Sequence, residues 1–242
     1  MDLKASLIIP MYNESKIVDT ALNAFYTCMR DNFSDFEILF VDDGSTDDCG
    51  EKVEIFSALH PEIRLVRYEN NKGKGCAVRT GVLESTGDTV VFTDCDIAYG
   101  TDTVVEFFRQ LEANRDISLL VGSRNLSKDG YEGYTFIRKA ASKIYIMLLN
   151  IMTGFNLSDS QCGMKGFCGN DARKVFALCD TNGFAFDIEV IMIAKKLNMK
   201  ISEYPVRIVN HRESKVNVVK DALRMIRDVC RIKKSVKAKF AK

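Results

Sequence analysis

Proline is scarce in this chain of 242 residues, with three in all. No Pro-rich linker therefore marks a domain boundary, and a chain of this length fits one sizeable α/β domain. No stretch of about 18 uninterrupted apolar residues occurs, so no transmembrane helix is expected. The eight cysteines form no C-x-x-C pair. The two closest, Cys162 and Cys168, lack the histidine pattern of a zinc site. Cys28, Cys76 and Cys230 sit among apolar positions and read as small buried residues. No signal peptide precedes the first strand-like run, so a reducing cytoplasm is expected. Repeats and low-complexity tracts are absent.

Hydrophobic residues make up 46% and charged residues 28%, enough for a core of ordinary size. The net charge of +1 conceals an asymmetry. From Arg207 to Lys242 there are 12 basic and 3 acidic residues, a balance of +9, which leaves −8 for the rest. An acidic body with a basic end suggests an end that meets phosphates on lipid or nucleic acid; the plainer reading is a solvated helix face. Nucleic-acid binding usually adds aromatic stacking platforms. The basic end offers only Phe240, so a nucleic-acid module is the weakest reading and no such partner is expected.

Apolar runs ended by breakers predict strands at Ser6–Pro10, Glu37–Val41, Ile63–Tyr68, Thr89–Thr93 and Leu119–Val121. Helical periodicity predicts a helix over Ser15–Met29, through Ile17, Ala21, Leu22 and Phe25. Further helices are expected over Cys49–Leu59, capped by Thr46 or Asp47, and over Lys74–Thr86 after a Gly-rich turn. Beyond Val121 the pattern is less regular. It gives helices at Arg138–Met152, Asp171–Leu178 and Phe186–Leu197, a strand at Ile201–Val209, and a long basic helix at Val216–Lys234. Strands that alternate with helices, each a continuous apolar run, predict an α/β fold with a mostly parallel sheet covered on both faces. Ligands bind such sheets outside the carboxyl ends of the strands. Tyr12-Asn13-Glu14, Asp42-Asp43 and Asp94-Cys95-Asp96 all fall there, and three acceptor-laden strand ends are hard to explain by stability alone.

Each cluster has its own chemistry. Asp94 and Asp96 can ligate Mg²⁺ or Mn²⁺, and such an ion usually also holds substrate phosphates. Taken alone, D-x-D reads more often as a solvated turn. Asp42 and Asp43 can accept hydrogen bonds from a base or a ribose, while Gly44, Ser45 and Thr46 make a turn and cap. Lys72-Gly73-Lys74-Gly75 before a helix resembles an anion-binding turn, where backbone N–H groups and the helix dipole favour phosphate. It lacks Walker spacing.

Pro10-Met11-Tyr12-Asn13-Glu14, Asp42 to Asp47, Asn71 to Gly75 and Asp94-Cys95-Asp96, in this order, together resemble the inverting GT-A glycosyltransferases of family 2. The resemblance runs over Ser6 to Lys215. Asp159-Ser160-Gln161-Cys162-Gly163-Met164-Lys165-Gly166-Phe167 and Phe186-Asp187-Ile188-Glu189 are most similar to the dolichyl-phosphate glucosyl- and mannosyltransferase branch. The Gln-Cys-Gly-x-Lys core leans toward the glucosyl side. The resemblance implies a GT-A domain over residues 1–215, with residues 216–242 as a basic amphipathic helix and tail. It also implies a nucleotide-sugar donor, UDP-glucose before GDP-mannose, and a polyprenyl or dolichyl phosphate acceptor. Pro10, Tyr12, Glu14, Asp42, Asp43, Lys74, Gln161 and Lys215 are implied at the donor, and Asp94 and Asp96 at the metal. Ala98 stands where mannosyl members often place a third ligand. Arg124, Arg138 and Arg212 are implied near phosphate.

A phosphate monoester has its second pKa at about 6, so it arrives ionised and needs positioning arginines rather than a strong base. A sugar hydroxyl, as in a capsular or cell-wall glycan, would need a base, and Asp159, Asp187 and Glu189 are the candidates. Ile144–Met152 is too short to span a bilayer but suits an interface or a core. The last helix places Val219, Leu223, Ile226 and Cys230 along one side and Lys220, Arg224, Arg227, Arg231 and Lys234 along another. Such a helix can bind anionic lipid, and peripheral contact with the cytosolic membrane face is expected.

Overall fold

Side chains alternate across a strand, and the first strand, β1 (Ala5–Met11), is apolar on both sides. Leu7, Ile9 and Met11 enter one buried cluster and Ile8 the other, so helices must cover both faces of the sheet. The structure is a computed structural model. It describes residues 3–130, 146, 147, 149–210 and 218–241, with 218–226 as backbone only.

The described strands are β1, β2 (Phe36–Asp42), β3 (Ile63–Arg67), β4 (Thr89–Phe92), β5 (Leu119–Ser123), β6 (Lys165–Cys168) and β7 (Ile201–Pro205). They form one sheet in the order β3-β2-β1-β4-β6-β5-β7. β1 pairs in parallel with β2 and with β4, and β2 with β3. β6 runs antiparallel between β4 and β5, and β7 is parallel to β5. Helices α1 (Val18–Asn32), α2 (Cys49–Ser57) and α4 (Thr101–Ala113) cover one face. Helices α3 (Lys74–Glu84), α5 (Gly169–Ala177), α6 (Phe186–Lys196) and α7 (Val218–Lys239) cover the other.

The predicted α/β class and mostly parallel sheet are present. Two elements have no counterpart in the sequence reading. Helix α4 carries Val104, Val105, Phe107, Phe108 and Leu111 into the core, a regular amphipathic spacing that could have been read. Strand β6 could not, because its first residue is a fully buried lysine, Lys165, which breaks the apolar-run signature. The strand expected at Ile201–Val209 stops at Pro205, which has no N–H to continue a ladder.

Of the predicted apolar stripe of α7, the side chains of Val219, Leu223 and Ile226 lie outside the described residues, and Cys230 does not join the core. Val229, Ile232 and Val236 are buried, whereas Cys230 is exposed. Val229 is followed at i+3 and i+7 by apolar residues, while lysines follow Cys230. This part of the apolar face packs on the core, and Lys239 pairs with Asp180 (2.6 Å) and Glu189 (3.0 Å). Within Ile144–Met152, Leu149 is buried while Met147 and Ile151, one turn apart, are exposed.

Helix α3 lies flush on the sheet because Gly81 has no side chain. A Cβ there would overlap Ile8 Cγ2 and come within 2.8 Å of Val41 Cγ2. Gly81→Val should cost about 1–3 kcal/mol through overpacking, read as a lower midpoint in urea unfolding at an unchanged slope.

Candidate active site

With β1 between β2 and β4, the chain leaves β1 toward one side of the sheet and returns on the other. That is the switch point at which open parallel sheets bind ligands. A cleft of about 510 Å³ opens there, and its lining includes Pro10, Tyr12, Glu14, Asp43, Lys74, Asp94 and Asp96. The donor and metal residues expected at these seven positions are thus brought together.

Hydrogen bonds pin the loops to one another. Asn13, in the left-handed region at φ 55°, donates its N–H to Ser45 Oγ (2.9 Å), and its Oδ1 accepts from Thr46 N–H (2.8 Å). Asp43 accepts from the N–H groups of Lys72 (2.9 Å) and Gly73 (2.8 Å) and from the Tyr68 hydroxyl (2.5 Å). Burial, reinforced by that bond, holds the Tyr68 hydroxyl well above the usual tyrosine range, so it remains a donor. Gly44, at φ 71°, lets the Asn70–Asn71 backbone approach to where a Cβ would stand (2.6 Å).

Asp42 departs from expectation. It is fully buried, accepts Ser45 N–H (2.8 Å) and pairs with Arg67 (3.0 Å). It is the last residue of β2, and successive side chains on a strand point to opposite faces, so only Asp43 reaches the cleft.

Asp94 and Asp96 follow β4 on a tight turn. Ile97 adopts φ 54°, a strained conformation for a β-branched residue, and the cost is about 1–3 kcal/mol. Asp96 Oδ1 accepts Ala98 N–H (3.1 Å), while Asn210 Nδ2 donates to the Asp96 carbonyl (2.7 Å) and Val209 N–H to the Ala98 carbonyl (2.8 Å). Lys74 Nζ is in contact with Asp94 Oδ1. Burial opposes the Lys74 ammonium, yet Asp94 and Asp187 hold its pKa above the usual lysine value. Gly163 faces Asp94, and a Cβ there would stand 2.5 Å from Asp94 Oδ2. Its N–H donates to the Tyr99 hydroxyl (3.1 Å). Tyr99 lies in none of the motifs read from the sequence, and Gly163 entered only as part of the Gln-Cys-Gly-x-Lys core, without a role of its own.

Two carboxylates one residue apart suit a hard divalent cation. No third His, Cys, Asp or Glu completes a cluster among the described residues. The remaining ligands would be water and phosphate oxygens, as Mg²⁺ and Mn²⁺ tolerate. Asp94 already carries a cation, the Lys74 ammonium, and Gly163 keeps the space beside it open, so the residues fit such an ion.

The three candidate bases are all engaged. Asp159 is fully buried and gives one oxygen to Arg124 Nε (2.6 Å) and the other to its NH2 (2.9 Å). Asp187 pairs with Lys165 Nζ (2.5 Å), although burial raises its pKa despite that lysine. Glu189 accepts from the N–H groups of Asp180 (3.0 Å) and Thr181 (2.6 Å) and pairs with Lys239. Arg124 is accordingly occupied with Asp159 rather than displayed in the cleft. Gln161 Nε2 reaches only the Ser160 carbonyl (3.5 Å), outside the residues lining the cleft. Arg138, Arg212 and Lys215 lie outside the described residues.

A twisted, mostly parallel sheet with an acidic cleft at its switch point is the GT-A arrangement, and solved structures share it. The fold matches glucosyl-3-phosphoglycerate synthase from Mycobacterium tuberculosis with a TM-score of 0.71 at 18% identity, covering 95% of this chain and 80% of that one. The chain belongs to glycosyl transferase family 2, whose model matches residues 6–176. Among curated relatives, the dolichyl-phosphate beta-glucosyltransferase of Trichomonas vaginalis is 30% identical over 226 residues, 90% of this chain and 67% of that protein. The enzyme of the same name from Drosophila melanogaster is 30% identical over 240 residues, covering 94% and 73%.

Two substitutions separate support from chemistry. Asp159→Asn should destabilise the fold by about 3–5 kcal/mol, because it removes one charge of a buried ion pair; a thermal melt reads it. Gly163→Ala should leave the melting temperature within a few degrees, since only a carboxylate end must move. By turning Asp94 aside it should lower turnover by roughly tenfold or more, in line with the cost of small misplacements at a reacting centre.

Proposed function

We propose that this chain transfers glucose from UDP-glucose to a dolichyl or other polyprenyl phosphate, with Mg²⁺ or Mn²⁺ bound by Asp94 and Asp96. The observation that carries this reading is the state of the acidic groups. Asp94 and Asp96 line the cleft, Asp94 against Lys74, whereas Asp159, Asp187 and Glu189 lie outside its lining and are paired with Arg124, Lys165 and Lys239. A glycan hydroxyl would need a base, and the three candidates for it are held in these pairs. A phosphate monoester arrives ionised and needs none. Relatives named dolichyl-phosphate beta-glucosyltransferase support the same acceptor class. A fold neighbour solved with Mn²⁺, UDP-glucose and phosphoglyceric acid supports the donor.

In this reading Tyr12, Glu14 and Asp43 hold the nucleoside end of the donor, with Asp43 kept rigid by Tyr68 and the 72–73 backbone. A bound divalent ion supplies Lewis-acid neutralisation of the departing diphosphate. Lys74, at the first position of α3, adds a positive charge at a helix N-terminus, where anions are favoured. Phe184, an exposed aromatic, also lines the cleft. The acceptor's lipid would bring the protein to the cytosolic membrane face as a peripheral partner. No helix among the described residues is long and apolar enough to cross a membrane. Met147 and Ile151 offer a small apolar contact.

The test is direct. Incubation with UDP-glucose, Mn²⁺ and a polyprenyl phosphate should give glucosylated lipid and free UDP. Chelation should stop it, and Mn²⁺ or Mg²⁺ should restore it. Asp94→Ala with Asp96→Ala should lower the rate by roughly a hundredfold or more, given the several kcal/mol that a metal contributes. Transfer from GDP-mannose instead would redirect the donor assignment, and no transfer from any common donor would end the lipid-phosphate reading.

A further inference from the structure

Transfer of a sugar does not itself require that Lys74 touch Asp94. The root of this lysine is fixed. Gly73, at φ 103°, is held by Asp43 through its N–H, and a Cβ on Gly73 would stand 2.6 Å from the Asn182 carbonyl oxygen. The following turn is tied to the same carbonyl through Cys76 N–H (3.2 Å). Only the side chain is left to move. It is 19% exposed, and its ammonium rests on Asp94. Of the other acids acting on it, Asp96 lines the same cleft, and Asp187 is paired with Lys165 at 2.5 Å. An ammonium drawn away from Asp94 therefore finds Asp187 already paired.

A divalent ion on Asp94 and an ammonium on the same carboxylate repel each other, and in a partly desolvated cleft that repulsion is several times larger than in water. Each therefore weakens the other's hold on that carboxylate. We propose that Lys74 is a resident counter-ion that competes with the metal for Asp94 and yields it when a nucleotide diphosphate gives the ammonium a new partner. Metal and nucleotide then bind with positive coupling, beyond the affinity of the two for each other. Before substrate enters, the lysine supplies the positive charge on Asp94. The inference rests on the reading of Asp94 and Asp96 as the metal site.

The experiment measures Mn²⁺ affinity from the free-ion electron paramagnetic resonance signal, with and without UDP. It compares the unaltered protein with Lys74→Met, Lys74→Gln, Lys72→Met and Asp94→Asn, each checked by thermal melt. Lys72 is the control for simple loss of charge, since its ammonium sits 5.0 Å from the Tyr68 ring centre. Without UDP, Lys74→Met and Lys74→Gln should bind Mn²⁺ roughly fivefold tighter or more, within the usual span of coupling between sites. The further gain on adding UDP should shrink by the same factor, and Lys72→Met should match the unaltered protein. Mn²⁺ affinity that is unchanged or weaker in both Lys74 variants, or equally raised by Lys72→Met, overturns the competition while leaving the metal site intact. Retention of Mn²⁺ by Asp94→Asn, or no Mn²⁺ binding by the unaltered protein even with UDP, instead overturns the metal site and the inference built on it.

Discussion

Parallel pairing of β1 with both β2 and β4 is the constraint on which the rest of the structure depends. It aligns three carboxyl ends at one edge, so that Glu14, Asp43 and the Asp94–Asp96 turn arrive in one cleft without any long excursion of the chain. Negative groups drawn together repel, and the fold meets that cost locally. Asp43 is satisfied by three donors, Asp42 is turned inward onto Arg67, and Asp94 rests against Lys74. The acids that remain in the cleft are those that a cation or a nucleotide can use.

The antiparallel strand β6 has a different duty. It is inserted between β4 and β5 and carries Lys165 into a fully buried position beneath the cleft, where it holds Asp187 and the Cys162 carbonyl (2.7 Å). Arg124 and Asp159 form a second buried pair at the end of β5. Buried pairs add little net stability but are costly to break. Their consequence here is geometric. They fix the 158–165 segment, and with it Gly163, at the distance that leaves Asp94 room.

The parallel half of the sheet and the cleft at its edge were legible in the sequence because their signals are local. An apolar run, a breaker and an acidic cluster recur three times, at Pro10–Glu14, Asp42–Asp43 and Asp94–Asp96. What the sequence could not express was pairing at long range. Asp42 and Asp43 look equivalent on the page, and only strand alternation sends one inward. Asp159, Asp187 and Glu189 read as bases until Arg124, Lys165 and Lys239, 35, 22 and 50 residues away, are placed against them. Tyr99 and Gly163 act through position rather than charge: Tyr99 falls in no motif, and the motif that contains Gly163 does not reveal that it faces Asp94. Helix α4 was readable from its spacing; the buried lysine of β6 was not.

The basic end of the chain bears on how such a protein would meet a charged surface. Where its side chains are described, the apolar stripe of α7 is spent on the core through Val229, Ile232 and Val236. Lys239 is spent on Asp180 and Glu189. The outward side then carries Arg227, Arg231, Lys234 and Lys237. A helix docked in this way cannot also bury the same stripe in lipid. Its attraction to an anionic bilayer would therefore be electrostatic, about 1 kcal/mol per charge near the surface. It would weaken as salt shortens the screening length. Insertion by an amphipathic face, the mode suggested by sequence alone, is unavailable to residues 229–236 without first unpacking the core.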